Sequence, residues 1–191
     1  MPTVSGIRRR GYSPEAMKDF VARVGVAKVE GMVDFSLMEF CVREDLNKRA
    51  KRLMAVLDPL KIIIDNYPED KVEYFESDNN PEDPASGKHS MAFTKELYIE
   101  REDFMEVPVK GYHRLYPGNE IRLKGAYYVK AISIDKDENG NIVAVHCTYD
   151  PESRGGETPD GRKVKGTSHW VSAKYNIKAE VRQYDKLFKA E

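Results

Sequence analysis

Residues 160–173 read DGRKVKGTSHWVSA, and this stretch decides the fold. It opens with a turn signal at Asp160-Gly161, continues with three cations within four residues, and ends in an alternating run that can lie in a sheet. The chain's single tryptophan, Trp170, falls in this run. Alternation places Trp170 and Ser168 on one face of the strand and His169 on the other, which predicts a core aromatic beside a hydrogen-bonded histidine.

Outward from this stretch, the first fifty residues predict helices. Ser13-Pro14-Glu15 is typical of an N-cap followed by proline at the first helical position, and Gly25 marks the end of that helix. A capping box is predicted at Ser36-Leu37-Met38-Glu39, where a second apolar face begins. Another helix end is indicated by Arg8-Arg9-Arg10 before Gly11, because the helix dipole favours cations there.

After residue 52 the apolar period changes to two, which predicts strands. The predicted strands cover residues 53–57, 60–66, 97–99, 120–123, 126–134, 142–149, 167–172 and 179–184. Asn139-Gly140 tolerates positive φ and predicts a hairpin turn. Residues 69–89, rich in acids, Asn and Pro, predict an exposed irregular loop. We therefore expect an α+β fold, with a short helical subdomain followed by antiparallel β-barrels.

Composition is ordinary for a globular protein of a reducing compartment. The 191 residues are 40% hydrophobic and 33% charged, which is enough to bury a core. Two cysteines far apart, Cys41 and Cys147, predict neither a disulfide framework nor a metal site. No signal peptide and no apolar run of about 18 residues is visible, so we expect a cytoplasmic protein without a membrane partner.

The net charge of −1 conceals a segregation of charge along the chain. Residues 1–67 carry 12 Lys and Arg against 9 Asp and Glu, residues 68–108 carry 4 against 12, and residues 109–191 carry 15 against 11. A polyanion is attracted to the basic ends and repelled by the acidic middle. The pattern indicates a patchy nucleic-acid footprint, although many solvated surfaces carry similar runs.

Together with two neighbouring motifs, residues 160–173 resemble the anticodon-binding region of glutaminyl-tRNA synthetases. These motifs are HCTYDP at 146–151 and VRQYDKLF at 181–188. The resemblance extends back through MPTVSGIRRRGY at 1–12, VREDLN at 42–47 and MAVLDP at 54–59. It implies a helical connector at 1–51 and an anticodon-binding β-barrel region at 52–191. The first barrel is expected to be ribosomal-protein-like and the second incomplete, because the chain stops near Phe188.

The resemblance also implies an activity for the intact enzyme. Such an enzyme ligates glutamine to tRNA(Gln) with ATP and magnesium, and is expected to be a monomer. The two class I ATP signatures do not occur in this chain, so we expect a fragment without catalysis, cofactor or metal. Its expected partner is tRNA(Gln), and no DNA contact is expected.

The residues expected to contact tRNA follow from the same resemblance. Arg52 matches a residue of the pocket for the middle anticodon base, and Arg114 matches the residue that contacts the third base. Arg122 and Lys124 lie two apart on a predicted strand and are expected to clamp the loop around the first base. Lys124 stands where better-known members have arginine, so it lacks the bidentate fork. Contacts to the tRNA backbone are expected from Arg8, Arg9, Arg10, Lys28 and Asn47.

Departures from the family and alternative readings stay open at this point. Gly111 stands where some members have a glutamine that helps to read the middle base, and a second such glutamine would lie beyond Glu191. Each arginine can also be a surface cation beside a carboxylate, and Arg162, Lys163 and Lys165 fit either phosphate contacts or a solvated edge. Alternative functions are the anticodon-binding region of a eukaryotic-type glutamyl-tRNA synthetase, a standalone RNA-binding β-barrel and a protein-interaction module. HWVSA at 169–173 favours the glutaminyl version.

Overall fold

The computed structural model describes residues 3–26, 28 and 31–184. The chain consists of two units. The first comprises Met1–Leu53 and Asp78–His89, and the second comprises Met54–Ser77 and Ser90–Glu191. Phe188 and the rest of the expected C-terminal motif after residue 184 lie outside the described residues.

The helices of the first unit are α1 (Val4–Arg9), α2 (Pro14–Val24) and α3 (Phe35–Arg49). The predicted cap of α2 is confirmed, since Ser13 Oγ accepts from the backbone N–H of Ala16 at 3.1 Å and donates to Asp45 of α3 at 2.6 Å. The predicted capping box at residue 36 is wrong. The N-cap of helix α3 lies two residues earlier, because the Asp34 carboxylate accepts from the N–H of Ser36 at 2.9 Å and takes the capping position.

Nine strands follow α3 among the residues that the structure describes. They are β1 (Pro59–Ile64), β2 (Glu73–Asp78), β3 (Lys88–Phe93), β4 (Glu96–Glu100), β5 (Glu120–Leu123), β6 (Tyr128–Lys136), β7 (Ile142–Tyr149), β8 (Thr167–Ser168) and β9 (Val171–Ser172). Seven of them form one sheet in the order β8-β5-β6-β7-β1-β4-β9, and β2 pairs with β3 in a separate ribbon. The expected α+β class is confirmed.

The large sheet is strongly curled, because its two edges are close together in sequence. Strands β8 and β9 lie at opposite edges and are separated by only His169 and Trp170. A flat seven-stranded sheet would hold its edges roughly 29 Å apart, whereas three peptide links span at most about 11 Å. The sheet is therefore barrel-like. It is mixed rather than purely antiparallel, since β1 pairs parallel with β7 and β5 parallel with β8.

The core of the second unit is an aromatic cluster enclosed by the curled sheet. Trp170 is 2% exposed and packs edge-on against Phe93, with ring centroids 5.1 Å apart. Its indole N–H donates to the carbonyl of Lys124 at 3.1 Å, so the polar atom of the buried ring is satisfied. Ser168 is fully buried, and His169 lies against Glu100, with Nε2 3.5 Å from Oε1. The predicted faces of this stretch are confirmed.

Three of the sequence-based strand and loop assignments are wrong. Residues 53–57 alternate in burial but form no strand, because the Glu100 carboxylate accepts the N–H groups of Leu57 and Asp58 at 2.8 and 3.0 Å in place of a neighbouring strand. Residues 69–89 hold β2 and the start of β3 instead of an irregular loop. Residues 179–184 are exposed and carry no strand.

Among the described residues, none of the helices combines the length and the apolar character that a membrane crossing needs.

Candidate nucleic-acid interface

Two of the predicted anticodon-reading arginines meet at one residue of β8. Arg114 Nη1 donates to the backbone carbonyl of Thr167 at 2.7 Å. Arg122 donates to the hydroxyl Oγ1 of the same threonine, from Nε at 3.3 Å and from Nη2 at 3.1 Å. The fold thus brings together two guanidinium groups that the sequence could place only separately.

The alternation of β5 determines which way its side chains face. Ile121 and Leu123 are fully buried, whereas Arg122 is half-buried and Lys124, just past the end of the strand, is exposed. Side chains two apart on a strand share a face. Arg122 and Lys124 are therefore on the outer face of the barrel, where two cations can approach a polyanion together.

Close backbone approach fixes β8 beside β5. The N–H groups of Arg122 and Lys124 donate to the carbonyls of Gly166 and Ser168, each at 2.9 Å. A Cβ atom on Gly166 would lie only 2.2 Å from the carbonyl oxygen of His113. Only glycine fits at this position, and its absence of a side chain lets β8 lie against the segment that carries Arg114.

Arg114 also pairs with a buried carboxylate. Its Nη1 lies 2.9 Å from Asp103 Oδ1, with the side chain of Asp103 only 5% exposed and that of Arg114 46% exposed. The loop is closed by the N–H of Leu115, which donates to the carbonyl of Asp103 at 2.9 Å, and by a parallel bridge between Phe104 and Leu115. The carboxylate neighbour expected of an ordinary surface arginine is thus present, and it orients a guanidinium that is still half accessible.

Arg162 does not act as a free phosphate-binding cation. Its guanidinium contacts three carboxylates, with Nε 3.0 Å from Glu120, Nη1 2.9 Å from Asp160 and Nη2 bonded to Asp150. Hydrogen bonds that Arg162 donates to these carboxylates, Glu120 first, raise the pKa of Arg162 above its usual value. The pKa of Asp160 falls to about 2 through hydrogen bonds from Thr158 and Arg162. Arg162 therefore joins β5 to the loop after β7 and is already neutralised by protein groups.

An open pocket of about 420 Å³ lies between residues 112–120 and 162–166. Tyr112, His113 and Tyr116 line one side, and Lys163 and Lys165 line the other. Aromatic faces stack unpaired bases and lysines hold phosphates, so this lining suits a single-stranded nucleotide. This pocket was not predicted from the sequence. Its signal was the alternation of aromatic and basic side chains in YHRLY at residues 112–116.

A family model described as the anticodon-binding domain of class I (E and Q) tRNA synthetases matches residues 50–150. The chain belongs to this family. The matched range includes β1 to β7 and all four residues predicted to contact the anticodon.

Curated relatives extend the similarity of this anticodon-binding domain to nearly the whole chain. Glutamine–tRNA ligase of Bradyrhizobium diazoefficiens is 54% identical over 188 residues, that of Clostridium kluyveri 50% over 187 and that of Vibrio parahaemolyticus 52% over 188. Each comparison covers 98% of this chain and 34% of the relative. The chain thus spans about a third of the length of the curated relatives it matches. The resemblance to glutaminyl-tRNA synthetases is confirmed.

In the first unit, two residues with different expected roles are neighbours. Arg52 Nη1 lies 3.4 Å from Asn47 Oδ1, and Arg52 Nη2 donates to the carbonyl of Asn47 at 3.2 Å. Asn80 donates to that same carbonyl at 3.1 Å. Arg52 Nε is buried and has no hydrogen-bond partner among the described residues. Asn47 therefore orients Arg52.

The other backbone-contact candidates lie at the ends of the short helices. Arg8 and Arg9 occupy the last turn of α1 and are exposed, as a phosphate contact requires. Arg10 is the C-cap and lies over the ring of Tyr12, with Cζ 5.3 Å from the ring centroid. Lys28 is exposed between α2 and α3.

The described parts of the anticodon-binding domain contain no group of three or more His, Cys, Asp or Glu residues that could hold a metal ion. His146 and Cys147 do not form a nucleophilic pair. The His146 ring is bonded to Asp65 at 2.8 Å and to Asp135 at 3.0 Å. Burial raises the pKa of the Cys147 thiol to about 12, so the thiolate is absent near neutral pH.

Proposed function

We propose that the chain reads the anticodon of tRNA(Gln) as part of a glutaminyl-tRNA synthetase. The observation that carries this proposal is the meeting at Thr167 of Arg114 and Arg122, which both lie within the residues that the anticodon-binding family model matches. Anticodon reading needs unpaired bases held by hydrogen-bond donors of fixed direction. A guanidinium group that the protein fixes at one edge presents such N–H donors at its other edge.

Each candidate residue has a role in the proposal. Arg114 contacts the third anticodon base, Arg122 contacts the first, and Lys124 supports the first through phosphate. Arg52 contributes to the middle base. Gly111 has a φ of 89°, a backbone conformation that favours glycine, so reading of the middle base does not use a glutamine at that position. Weaker backbone contacts come from Arg8, Arg9, Arg10, Lys28 and Asn47.

The whole enzyme ligates glutamine to tRNA(Gln), and its ATP and magnesium bind in a part of the enzyme outside this chain. In this proposal residues 1–51 are the helical connector, residues 52–191 are the anticodon-binding region, and the enzyme acts as a cytoplasmic monomer. The names of the relatives support the reaction. The 191-residue chain binds tRNA without catalysis.

Fluorescence anisotropy with labelled tRNA(Gln) tests the proposal, at low and near-physiological salt. The same tRNA with its third anticodon base changed serves as competitor. We expect a preference for the unchanged tRNA that survives added salt, because phosphate attraction is lost with salt and contacts to base edges are not. Equal affinities that vanish with salt would contradict anticodon reading.

Arg114→Lys sharpens the test because it keeps the charge and removes the planar fork. We expect the preference for the unchanged third base to fall by about fivefold or more, since a good bidentate contact to a base contributes about 1–3 kcal/mol of discrimination. Affinity for the changed tRNA should stay nearly constant. Arg182→Lys, at an exposed arginine paired with Glu180, is the matched control. An equal loss for both tRNAs would contradict the role of Arg114.

A further inference from the structure

The side chain of Arg122 lies in a narrow channel with two defined walls. On one side is Gly156, where a Cβ atom would lie 2.7 Å from Arg122 Cδ. On the other side is the hydroxyl of Thr167, which accepts from Nε and Nη2. The aliphatic part of Arg122 is thus held against backbone, and the guanidinium is oriented by a single side-chain oxygen.

The protein contacts of Arg114 and Arg122 leave one edge of each guanidinium group available for a ligand. Nε and Nη2 of Arg122 are directed at Thr167 Oγ1, and the edge formed by Nη1 and Nη2 faces away from that contact. Nη1 of Arg114 donates to the Thr167 carbonyl and forms an ion pair with Asp103, so this nitrogen is engaged by protein groups. The edge formed by Nε and Nη2 of Arg114 is then the one that can donate two hydrogen bonds to one partner.

We propose that Thr167 is a specificity-determining positioning residue that orients Arg114 through its carbonyl and Arg122 through its hydroxyl. This inference rests on the proposed function and adds a device to it. The backbone carbonyl of Thr167 fixes the guanidinium of Arg114, and its hydroxyl fixes that of Arg122. A mutation that removes only the hydroxyl therefore separates the two contacts. Nothing in the resemblance assigned a role to Thr167.

Thr167 is well suited to this task because its own position is rigid. Its neighbours Gly166 and Ser168 are both bonded to β5, and Gly166 cannot be moved away from His113 without breaking the close contact that requires glycine. Threonine is also stiff at χ1, since two heavy atoms on Cβ restrict its rotamers. The hydroxyl therefore sits at one defined place relative to the barrel.

Thr167→Val tests the inference because valine keeps the branched shape and the carbonyl and removes only Oγ1. Anisotropy binding compares tRNA(Gln) with forms changed at the first or at the third anticodon base. We expect first-base discrimination to fall by roughly three- to tenfold, the loss expected for one hydrogen bond of ordinary net strength. Third-base discrimination should change by less than about twofold, because the carbonyl that orients Arg114 is unchanged.

Two further variants separate positioning from a general structural effect. Thr167→Ser restores the hydroxyl and should restore first-base discrimination. Thr148→Val removes the same hydroxyl from a half-buried position on β7 and should leave both discriminations unchanged. Thermal unfolding of all three variants checks that the barrel is intact, and their melting temperatures should stay close to that of the unchanged chain.

A spectroscopic measurement on the free chain makes the result independent of tRNA binding. The Nε–H proton of Arg122 should exchange with water at least about fivefold faster in Thr167→Val than in the unchanged chain, because its acceptor is lost. The Nε–H of Arg114 should not change, since its contacts are made by Nη1.

Unchanged Arg122 exchange in Thr167→Val would overturn the inference, as would an equal loss of discrimination at both anticodon positions. If the unchanged chain shows no discrimination at all, the proposed function fails. The exchange of Arg122 then still decides whether Thr167 orients it.

Discussion

Truncation of Arg114 is expected to destabilise the barrel as well as to weaken tRNA discrimination. Its guanidinium lies 2.9 Å from a carboxylate whose side chain is only 5% exposed. The second oxygen of that carboxylate, Asp103 Oδ2, is buried without a hydrogen-bond partner among the described residues. Without Arg114, Asp103 would be a buried charge that has lost its partner cation.

The magnitude follows from the geometry and the exposure of the pair. Two unit charges about 4 Å apart attract by about 4 kcal/mol at an effective dielectric constant of 20. Breaking a fully buried pair by removing one partner costs about 3–5 kcal/mol. Arg114 is 46% exposed, so water reaches the site and screens the charge. We therefore expect Arg114→Ala to lower the free energy of unfolding by about 2 kcal/mol.

Urea unfolding followed by the fluorescence of Trp170 measures this loss in the barrel directly, because the single tryptophan lies in the core of the second unit. The cycle comprises the unchanged chain, Arg114→Ala, Asp103→Asn and the double variant. Asn removes the charge of Asp103 and keeps its shape, so the double variant should recover about 1–2 kcal/mol relative to the sum of the single losses.

A cost below about 0.5 kcal/mol for Arg114→Ala, with additive single variants, would refute the argument that Arg114 neutralises Asp103. The expected result has a consequence for binding experiments. Reduced tRNA binding by Arg114→Ala combines lost contact with lost stability. Arg114→Lys, which keeps a cation beside Asp103, is therefore the better test of base contact.

The remaining predictions concern His146 and the basic stretch before β8. Hydrogen bonds to Asp65 and then Asp135 raise the pKa of His146 above its ordinary value of 6.5, so its contribution to stability is complete below about pH 6.5 and is lost as the pH rises through the raised pKa. Urea unfolding of the unchanged chain should show the free energy of unfolding falling as the pH rises across this range. The fall should be less than about 1 kcal/mol because the groups are partly exposed. In His146→Asn this contribution to the fall should be absent. Lys165→Ala should lower the salt dependence of tRNA binding by about one phosphate contact. Arg162→Ala should leave that dependence unchanged and lower barrel stability by about 1 kcal/mol, and a reduced salt slope for Arg162→Ala would show that it binds phosphate after all.

The correct sequence predictions are those whose physical cause is local. Helix α2 was predictable because Ser13, Pro14 and Gly25 each impose a conformation on their own few residues. Strands β5 and β7 both match the predicted bounds, and in β5 the alternation reflects one buried face. The ribbon of β2 and β3 was missed because its strands are largely exposed, with Phe75 as the fully buried residue of β2, and acidic residues hide the period.

The site was predictable only as separate candidates. The resemblance supplied Arg114 and Arg122, but the residue that joins them lies 53 positions from the first and 45 from the second. No local pattern reports a contact at that separation. For Arg162 the run of cations left phosphate contact and a solvated edge both open, and the fold placed three carboxylates around its guanidinium.

Residues 160–173 connect folding and recognition through one geometric requirement. Strands β8 and β9 close the curled sheet from opposite edges, and Trp170 between them fills the core that this closure creates. The same β8 presents the carbonyl and the hydroxyl that orient Arg114 and Arg122. If β8 leaves β5, the sheet opens and both guanidinium groups lose their common partner. Orientation of the two arginines is therefore a property of the closed barrel, and under the proposed function we expect changes that loosen closure to reduce discrimination before they abolish phosphate attraction.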